Sequence, residues 1–325
     1  MLLTPNQARQ LLLHAVENRY AILAVNADSP AAIQDVLSTA AELNAPVIIE
    51  TSLWQLQGHS FGAGDALLGV ERYASTVAGL ANATRFAAVP VILHTDHIKG
   101  PQTLEILRHA MTGVVPAYSS ISVDSSEMSE QDNIATLCTL CQYAREAGCD
   151  VSLEMEAGVD DGLTPLDTAD RLLEPVEKAH AGQLALWAPG VGTQHGLTDA
   201  GYPSFDETHV HAHAERAAKI TGRPIGLALH GSSGLSTDAL RRAVAVGVAK
   251  VNWSSESLLI RSIAARDYYQ SHASELEKGH PRWKATAMDN GVQTYVSERY
   301  RPKVRERIEL LGGAGQARGF LESLS

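Results

Sequence analysis

Residues 224–255 have the sequence PIGLALHGSSGLSTDALRRAVAVGVAKVNWSS, which contains one complete strand–helix–strand unit. The apolar runs PIGLALHG (224–231) and KVNWSS (250–255) lie on either side of the amphipathic segment STDALRRAVAVG. Ser236 occupies the expected N-cap of this helix, and Gly247 lies where the helix should end, because glycine readily adopts the left-handed conformation that stops helices. The pattern predicts two parallel strands joined by a helix.

Six similar apolar runs precede this unit, separated by helical patterns. They are AILAVNAD (21–28), PVIIETS (46–52), PVILHTDH (90–97), SSISVDSS (119–126), DVSLEMEA (150–157) and QLALWAPG (183–190). Their content of Val, Ile and Leu is typical of parallel strands that are buried on both faces. Eight strand-then-helix units predict a (β/α)₈ TIM barrel, one domain over residues 1–325, with extra C-terminal helices from about residue 274.

A six-stranded doubly wound sheet is the alternative fold. It requires a glycine-rich phosphate-binding loop after the first strand. The segment AVNADSPAA at that position contains no glycine, and no linker rich in Pro, Gly or Ser divides the chain. The sequence therefore favours the closed barrel.

Composition and charge exclude several kinds of partner. The chain has 26 Lys and Arg against 37 Asp and Glu, a formal net charge of −11. Such a chain is repelled by phosphate backbones, so no nucleic acid is expected as a partner, although a small anion can bind at a local site. Three cysteines do not make a disulfide framework. The segment MLLTPNQARQLLLHAVENRY is predicted to be an amphipathic helix rather than a signal peptide, and no apolar run approaches the length of a membrane span. We therefore expect a cytoplasmic protein without a membrane partner.

Reactive side chains are concentrated at the C-terminal ends of the predicted strands, where barrels carry their chemistry. His97 and His230 end the third and seventh strands, His195 follows the sixth, and Asp96 precedes His97. Three imidazoles that converge above a barrel can bind Zn²⁺ and leave a position open for substrate, with the carboxylate as a neighbouring acid or base. The alternative is that each histidine is simply a hydrogen-bonded residue at a strand end.

Glycine and serine residues form a second pattern near these histidines. His195 lies between Gly192 and Gly196, and the motifs HGSSG (230–234) and NWSSES (252–257) follow the last two strands. Glycine lets a backbone approach an anion, and phosphate commonly binds over these two loops of a barrel. The motifs indicate either a phosphate site or ordinary tight turns.

At these residues the sequence resembles the class II, zinc-dependent fructose- and tagatose-bisphosphate aldolase family. PVILHTDH resembles the strand that carries the family's catalytic Asp and first zinc histidine, and GVGTQHG resembles the segment with the second. LALHGSSG followed by GVAKVN resembles the most distinctive stretch of the family. The opening strands and the segment RPKVRERIELLGGAGQA are also similar, so the resemblance spans nearly the whole chain.

The resemblance implies a carbohydrate-metabolism lyase that cleaves a phosphorylated ketose reversibly to dihydroxyacetone phosphate and an aldehyde through a zinc-stabilised enediolate. It implies Zn²⁺ on His97, His195 and His230, with Glu156 at an alternative metal position, and Na⁺ or K⁺ near the phosphate. Asp96 and Asp160 are the implied acid/base residues. A homodimer or homotetramer is implied as well. The implied substrate-binding residues are Asn26, Ser52, Gly196, Gly231, Ser233, Asn252, Ser254, Ser255 and, for the distal anion, Arg282.

Several departures from the family pattern leave the substrate open. The loop after the fifth strand is a short EAGVDDG, so either Asp160 or Asp161 replaces the family's second acid/base, and Ser254-Ser255 replace its Asp-Thr. The segment QLQGHSFGAGDALLG after the second strand is also unusual. The substrate is a ketose 1-phosphate, a 1,6-bisphosphate or a 6-sulfonated analogue.

Three alternatives to this activity remain. One is a non-catalytic aldolase-like partner subunit, although such a subunit has no reason to keep Asp96 and all three histidines. Another is a metal-free Schiff-base lyase using Lys250, which the pattern places at the start of its strand, away from the chemistry. A third is epimerisation on the same metal site, because a fold does not fix a reaction.

Other metal-like motifs are interpreted structurally. Cys138 and Cys141 lie in a helical pattern without a second cysteine pair, which favours helix packing. In the tract HVHAHAERAAK only His209 and His213 share a helix face, which favours a solvated surface. His94 either packs in the barrel or orients a ligand.

Overall fold

The computed structural model describes residues 1–124, 127–149, 151–158, 162–197 and 205–324. Eight parallel strands pair in sequence order into a closed barrel, with β8 paired to β1. The (β/α)₈ prediction is confirmed. The strands are β1 Ile22–Asn26, β2 Val47–Thr51, β3 Val91–Thr95, β4 Ser120–Val123, β5 Ser152–Glu156, β6 Leu184–Ala188, β7 Gly226–Leu229 and β8 Val248–Trp253.

Seven of the predicted runs contain the observed strand, but the eighth was predicted to begin too late. β8 begins at Val248, directly after Gly247, whose φ of 114° ends the preceding turn abruptly. Every residue of all eight strands is buried, as expected for strands covered on both faces. Lys250 is therefore an interior residue of β8, and its predicted place at the start of the strand is wrong.

Helices surround the barrel and follow the capping pattern of the sequence. Ser236 accepts a hydrogen bond from the Ala239 amide as the N-cap of its helix, as predicted. The helices are α1 Pro5–Glu17, α2 Pro30–Leu43, α3 Leu53–Gln57, α4 Ala66–Ala81, α5 Thr103–Arg108, α6 Glu130–Glu146, α7 Leu166–Ala179, α8 Glu207–Thr221, α9 Thr237–Ala245, α10 Ser255–Ser271, α11 Trp283–Ala287, α12 Asp289–Leu310 and α13 Gln316–Ser323. No helix in the described ranges is long and apolar enough to cross a bilayer.

The N-terminal end of the barrel is covered by α1. Its buried face, which includes Leu11 and Leu12, joins a cluster with the first residues of the strands, among them Ile22 and Ile92. The Leu3 amide also donates to the Val91 carbonyl at 2.9 Å. This packing closes the N-terminal end of the barrel.

The extra C-terminal helices support the junction between β8 and α10. α12 packs against α10 and α2. The rings of Trp253 and Tyr300 are stacked with centroids 5.7 Å apart, and the Trp253 Nε1 donates to Glu256 Oε2 at 2.8 Å. These contacts fix the backbone at the C-terminal end of β8, where the sequence places Ser254 and Ser255.

His213 corrects the prediction of a solvated histidine tract on α8. Its side chain is fully buried. Nδ1 accepts from Trp187 Nε1 at 3.2 Å, and Nε2 lies 2.9 Å from the Thr164 carbonyl oxygen. The ring therefore ties α8 to β6 and to the segment that follows β5, whereas His211 on the same helix is exposed.

Candidate metal and substrate site

A pocket of about 450 Å³ opens at the C-terminal end of the barrel. Its wall comes from loops that follow at least six of the strands, as is usual for active sites in this fold. The lining residues are Asn26, Ser52, Trp54, Asp96, His97, Lys99, Asp124, Glu127, Glu156, Gly158, His195, Gly196, Gly231, Ser232, Ser233, Asn252, Ser254 and Ser255.

The three predicted histidines converge at this pocket. The ring centroids of His97 and His195 are 4.5 Å apart, those of His97 and His230 are 4.8 Å apart, and those of His195 and His230 are 5.8 Å apart. One nitrogen from each ring lies within 4.8 Å of the others. The rings meet edge to face, so their nitrogens can converge on one point.

In two of the rings, one nitrogen contacts a carboxylate. His97 Nδ1 lies 3.1 Å from Asp124 Oδ2, and His230 Nε2 lies 2.8 Å from Glu154 Oε1. In the neutral rings each of these nitrogens carries the proton, which leaves lone pairs on His97 Nε2 and His230 Nδ1. Those two atoms face each other at 3.0 Å. When no metal is present, a proton on one of these two nitrogens satisfies the contact. With both rings neutral, the two lone pairs fit a zinc ion beside them.

The backbone at His97 explains how two neighbouring residues reach the same pocket. Consecutive strand residues point to opposite faces. His97 has a φ of 50°, in the left-handed region that a non-glycine residue rarely adopts. This conformation breaks the alternation after β3 so that Asp96 and His97 both line the pocket. Strain of this kind costs about 1–3 kcal/mol and persists where the surrounding structure enforces it.

Asp96 is held by two amides. Asn26 Nδ2 donates to Oδ2 and Asn252 Nδ2 donates to Oδ1, both at 2.9 Å. Burial by itself would raise the pKa of Asp96, but His97, His230 and the Asn26 hydrogen bond outweigh it and lower the pKa. The Asp96 carboxylate is therefore oriented beside the histidines, with Oδ1 3.6 Å from His97 Nε2.

Glu156 lies on the opposite side of His97. Its Oε2 is 3.4 Å from His97 Nδ1, and Ser122 Oγ donates to its Oε1 at 2.5 Å. Burial raises the pKa of Glu156. Glu156 forms a second cluster of potential ligands with Asp96, His97 and His230, in keeping with an alternative metal position.

Glycine and serine residues form the wall on the side of β7 and β8. Gly196, Gly231, Ser233, Ser254 and Ser255 all line the pocket, as the phosphate prediction requires. Helix α10 begins at Ser255, so its N-terminus lies at this wall, where backbone N–H groups favour an anion. A Cβ on Gly231 would lie 2.6 Å from the Gln194 carbonyl oxygen, which explains the glycine there.

Three other predicted site residues are not found among the described residues that line the pocket. Asp160 and Asp161, the candidates for the second acid/base, lie outside the described residues. Arg282 does not line the pocket of its own chain. Its side chain is exposed and pairs with Glu275 at 3.4 Å, because the HPRW segment lies between the helices beyond the barrel.

Several pocket residues were not predicted from the sequence. Trp54, Lys99, Asp124, Glu127 and Ser232 line it. Asp124 follows β4, and an acidic residue after a strand was the same signal that selected Asp96. Trp54 lies in the short helix α3 and Lys99 in the loop after β3, and nothing in their spacing indicates the direction of their side chains.

Lys250 does not line this pocket among the described residues. Its Nζ lies 3.0 Å from Glu154 Oε2 and 3.3 Å from Glu50 Oε2 in the barrel interior. Burial by itself would lower the pKa of Lys250, but the two carboxylates outweigh it and raise the pKa. A charged, enclosed ammonium is not a nucleophile, which gives no support to a Schiff base.

Comparison with known proteins identifies the family. The family profile "Fructose-bisphosphate aldolase class-II" matches residues 6–316. The fructose-bisphosphate aldolase of Streptococcus pyogenes serotype M1 is 29% identical over 317 residues, which is 95% of this chain and 98% of that protein. That of Staphylococcus aureus strain Mu50 is 30% identical over 267 residues, with 80% and 84% covered.

Solved structures share the fold. The crystal structure of fructose-bisphosphate aldolase from Campylobacter jejuni superposes with a TM-score of 0.82 at 24% identity, covering 97% of each chain. The YdjI aldolase from Escherichia coli K12 gives 0.72 at 22% identity, covering 98% of this chain and 100% of that one. The sequence matches and the fold lead to one conclusion: the chain belongs to the class-II fructose-bisphosphate aldolase family and is a carbon–carbon lyase.

Proposed function

We propose that the protein is a zinc-dependent aldolase that cleaves a ketose 1-phosphate, a ketose 1,6-bisphosphate or a 6-sulfonated analogue to dihydroxyacetone phosphate and an aldehyde. The observation that carries this proposal is the convergence of His97, His195 and His230 beside Asp96, in a pocket with a glycine- and serine-lined wall. Zn²⁺ bound there supplies a Lewis acid for the negative charge that develops on the ketose oxygens. The family is in general zinc-dependent, and a partner role without catalysis no longer fits.

Asp96 is proposed to take the proton of the C4 hydroxyl as the C3–C4 bond breaks, and to return it in the condensation direction. Its two amide partners fix the carboxylate plane and leave the remaining lone pairs for a substrate proton. Asp160 or Asp161 is proposed to exchange the proton at C3. The comparison of Asp160→Asn with Asp161→Asn distinguishes these two candidates.

The substrate phosphate is proposed to bind at the wall formed by Gly196, Gly231, Ser233, Ser254 and Ser255. Backbone amides at glycines and at the start of α10 suit a phosphate dianion. Asn26, Ser52 and Asn252 are proposed to contact the hydroxyl groups of the triose half. We propose Na⁺ or K⁺ as a further ligand of this phosphate.

The other end of the pocket receives the aldehyde half. Lys99 is the one Lys or Arg among the described lining residues, and its Nζ lies 2.8 Å from Glu127 Oε1. We propose Lys99, rather than Arg282 of the same chain, as the cation nearest to a distal anion. We also propose that residues 1–325 form a single domain. We further propose that the protein is a homodimer or homotetramer and is located in the cytoplasm.

The test is a retro-aldol assay on a panel of ketose 1-phosphates, 1,6-bisphosphates and a 6-sulfonated ketose 1-phosphate. Release of dihydroxyacetone phosphate is followed before EDTA, after EDTA and after added Zn²⁺. Loss with EDTA and recovery with Zn²⁺ is expected for the wild type, and no recovery for His195→Ala. Cleavage that resists EDTA and is trapped by borohydride would overturn the zinc mechanism. Epimerisation without cleavage would overturn the aldolase assignment.

A further inference from the structure

A charged layer lies directly beneath the floor of the pocket. The layer contains one residue from each of four strands: Glu50 of β2, His94 of β3, Glu154 of β5 and Lys250 of β8. Each lies two positions before a residue that lines the pocket, namely Ser52, Asp96, Glu156 and Asn252 respectively. Side chains two apart on a strand share a face, so the four point into the barrel one layer below the site. All four are fully buried. Barrel interiors are normally filled by branched aliphatic side chains, so this layer departs from the usual pattern.

Lys250 is the centre of this layer. Its Nζ contacts Glu154 Oε2 at 3.0 Å, Glu154 Oε1 at 3.2 Å and Glu50 Oε2 at 3.3 Å. Buried ion pairs rarely stabilise a fold more than aliphatic residues of the same volume would. The stability of the barrel therefore does not by itself explain a lysine at this position.

Glu154 connects Lys250 to the metal site. The Lys250 ammonium holds the Glu154 carboxylate from below. Oε1 of the same carboxylate lies 2.8 Å from His230 Nε2. That contact assigns the ring proton to Nε2 and turns the Nδ1 lone pair toward His97 Nε2, 3.0 Å away. The His230 side chain has no exposed surface, so bulk solvent does not reach Nε2.

We propose that Lys250 is a positioning residue for the zinc site, acting through Glu154 to hold His230 in the tautomer and orientation that bind the metal. This inference rests on the proposed zinc site and adds to it a residue that never touches metal or substrate. Glu50 contacts the ammonium on its other side, and burial raises the pKa of its carboxyl well above the ordinary value. Glu50 lies outside the path from Lys250 to His230.

The experiment measures zinc affinity directly, by competition with a chromophoric chelator, and needs no substrate. Lys250→Met is expected to weaken zinc binding by up to about 10–100-fold, the usual effect of losing the direct outer partner of a metal histidine, which here is Glu154. Glu50→Gln is the matched control, since it changes the same layer but leaves the Lys250–Glu154 contact, and it should bind zinc as the wild type does.

Folding of the variants requires its own control, because Lys250→Met leaves two buried carboxylates without a cation. The double variant Lys250→Met/Glu50→Gln removes the ammonium together with the ionisable carboxyl on its other side, so Glu154 is the remaining ionisable group of the three. Circular dichroism and thermal unfolding establish that each variant is folded. The double variant should show the same loss of zinc affinity as Lys250→Met.

A double-mutant cycle with Glu154→Gln identifies the route of the effect. If Lys250 acts through Glu154, then Lys250→Met should weaken zinc binding in the wild type but have little further effect beside Glu154→Gln. Additive losses, or wild-type affinity in a folded Lys250→Met/Glu50→Gln variant, would overturn the inference. Failure of the proposed site itself has a different signature: His230→Ala would bind zinc as tightly as the wild type.

Discussion

Asn252 Nδ2 donates a hydrogen bond to Asp96 Oδ1 at 2.9 Å, although the two residues are 156 positions apart in the chain. Asn26 makes the equivalent contact to the other oxygen, from the first strand. The three residues lie at or next to the C-terminal ends of β1, β3 and β8. The proposed base is thus held at both carboxylate oxygens before substrate binds, which reduces the reorganisation that proton transfer requires.

Asp96→Asn should lower kcat/KM for cleavage by about 10²–10⁴-fold, the usual contribution of a positioned general base. The amide cannot take a proton, and it can accept only one of the two hydrogen bonds from Asn26 and Asn252. Zinc content, measured by metal analysis of the purified variant, should stay at the wild-type level because the three histidines remain. A folded, zinc-loaded variant with wild-type kcat/KM would remove Asp96 from the mechanism.

Gly231→Ala should destabilise the fold more than Gly196→Ala. Both glycines have positive φ, 61° and 90°, so alanine is strained at either position by about 1–3 kcal/mol. Only at Gly231 does the added Cβ meet backbone, the Gln194 carbonyl oxygen at 2.6 Å, whereas Gly196 faces open space. Urea denaturation measures the two free energies of unfolding. Equal losses would show that the Gln194 contact does not constrain this loop.

His213→Ala should lower the free energy of unfolding by about 1–3 kcal/mol, because it leaves the buried Trp187 Nε1–H donor without its acceptor. His211→Ala is the control on the same helix. His211 is exposed and lies 3.5 Å from Glu215, so its loss should cost about 0.5 kcal/mol or less. Similar losses for the two variants would contradict the structural role of His213.

The penalty of His213→Ala should also depend on pH. Burial lowers the pKa of His213 below its ordinary value of 6.5, with His209 Nε2 3.2 Å away as a further unfavourable neighbour for charge. The unfolded chain therefore binds a proton at this position more readily, and the wild type loses stability as the pH falls below 6.5. The difference between wild type and variant should be largest at pH 8 and should shrink at pH 5. A constant difference would contradict this.

Cys141 should not react with Ellman's reagent in the native protein at pH 8. Burial raises the pKa of its thiol to about 12, so about one thiol in 10⁴ is ionised at that pH. Reaction should appear only after denaturation.

Cys138→Ser should leave the zinc content unchanged, because both cysteines belong to the packing of α6. A loss of bound zinc would indicate that the C-x-x-C motif is a metal site.

The sequence alone determined the strands, their order and the end of the barrel that carries chemistry. Alternating apolar runs and helical patterns are local signals, and a Ser at an N-cap or a Gly beyond a helix acts on its own few residues. Asp96, His97 and His230 could be selected because each follows a strand. The approximate positions of Asn26, Asn252 and the phosphate loops follow from the same rule.

Only the tertiary structure decided which of these side chains meet. Glu154 and Lys250 are separated by 96 residues, and no spacing in the sequence indicates that they share a layer beneath His230. His213 was expected in solvent and is buried, and Arg282 was expected near the substrate and pairs with Glu275. The physical reason is that periodicity gives the face on which a side chain lies. Its partner across the barrel depends on the register of all eight strands and on the packing of the loops above them.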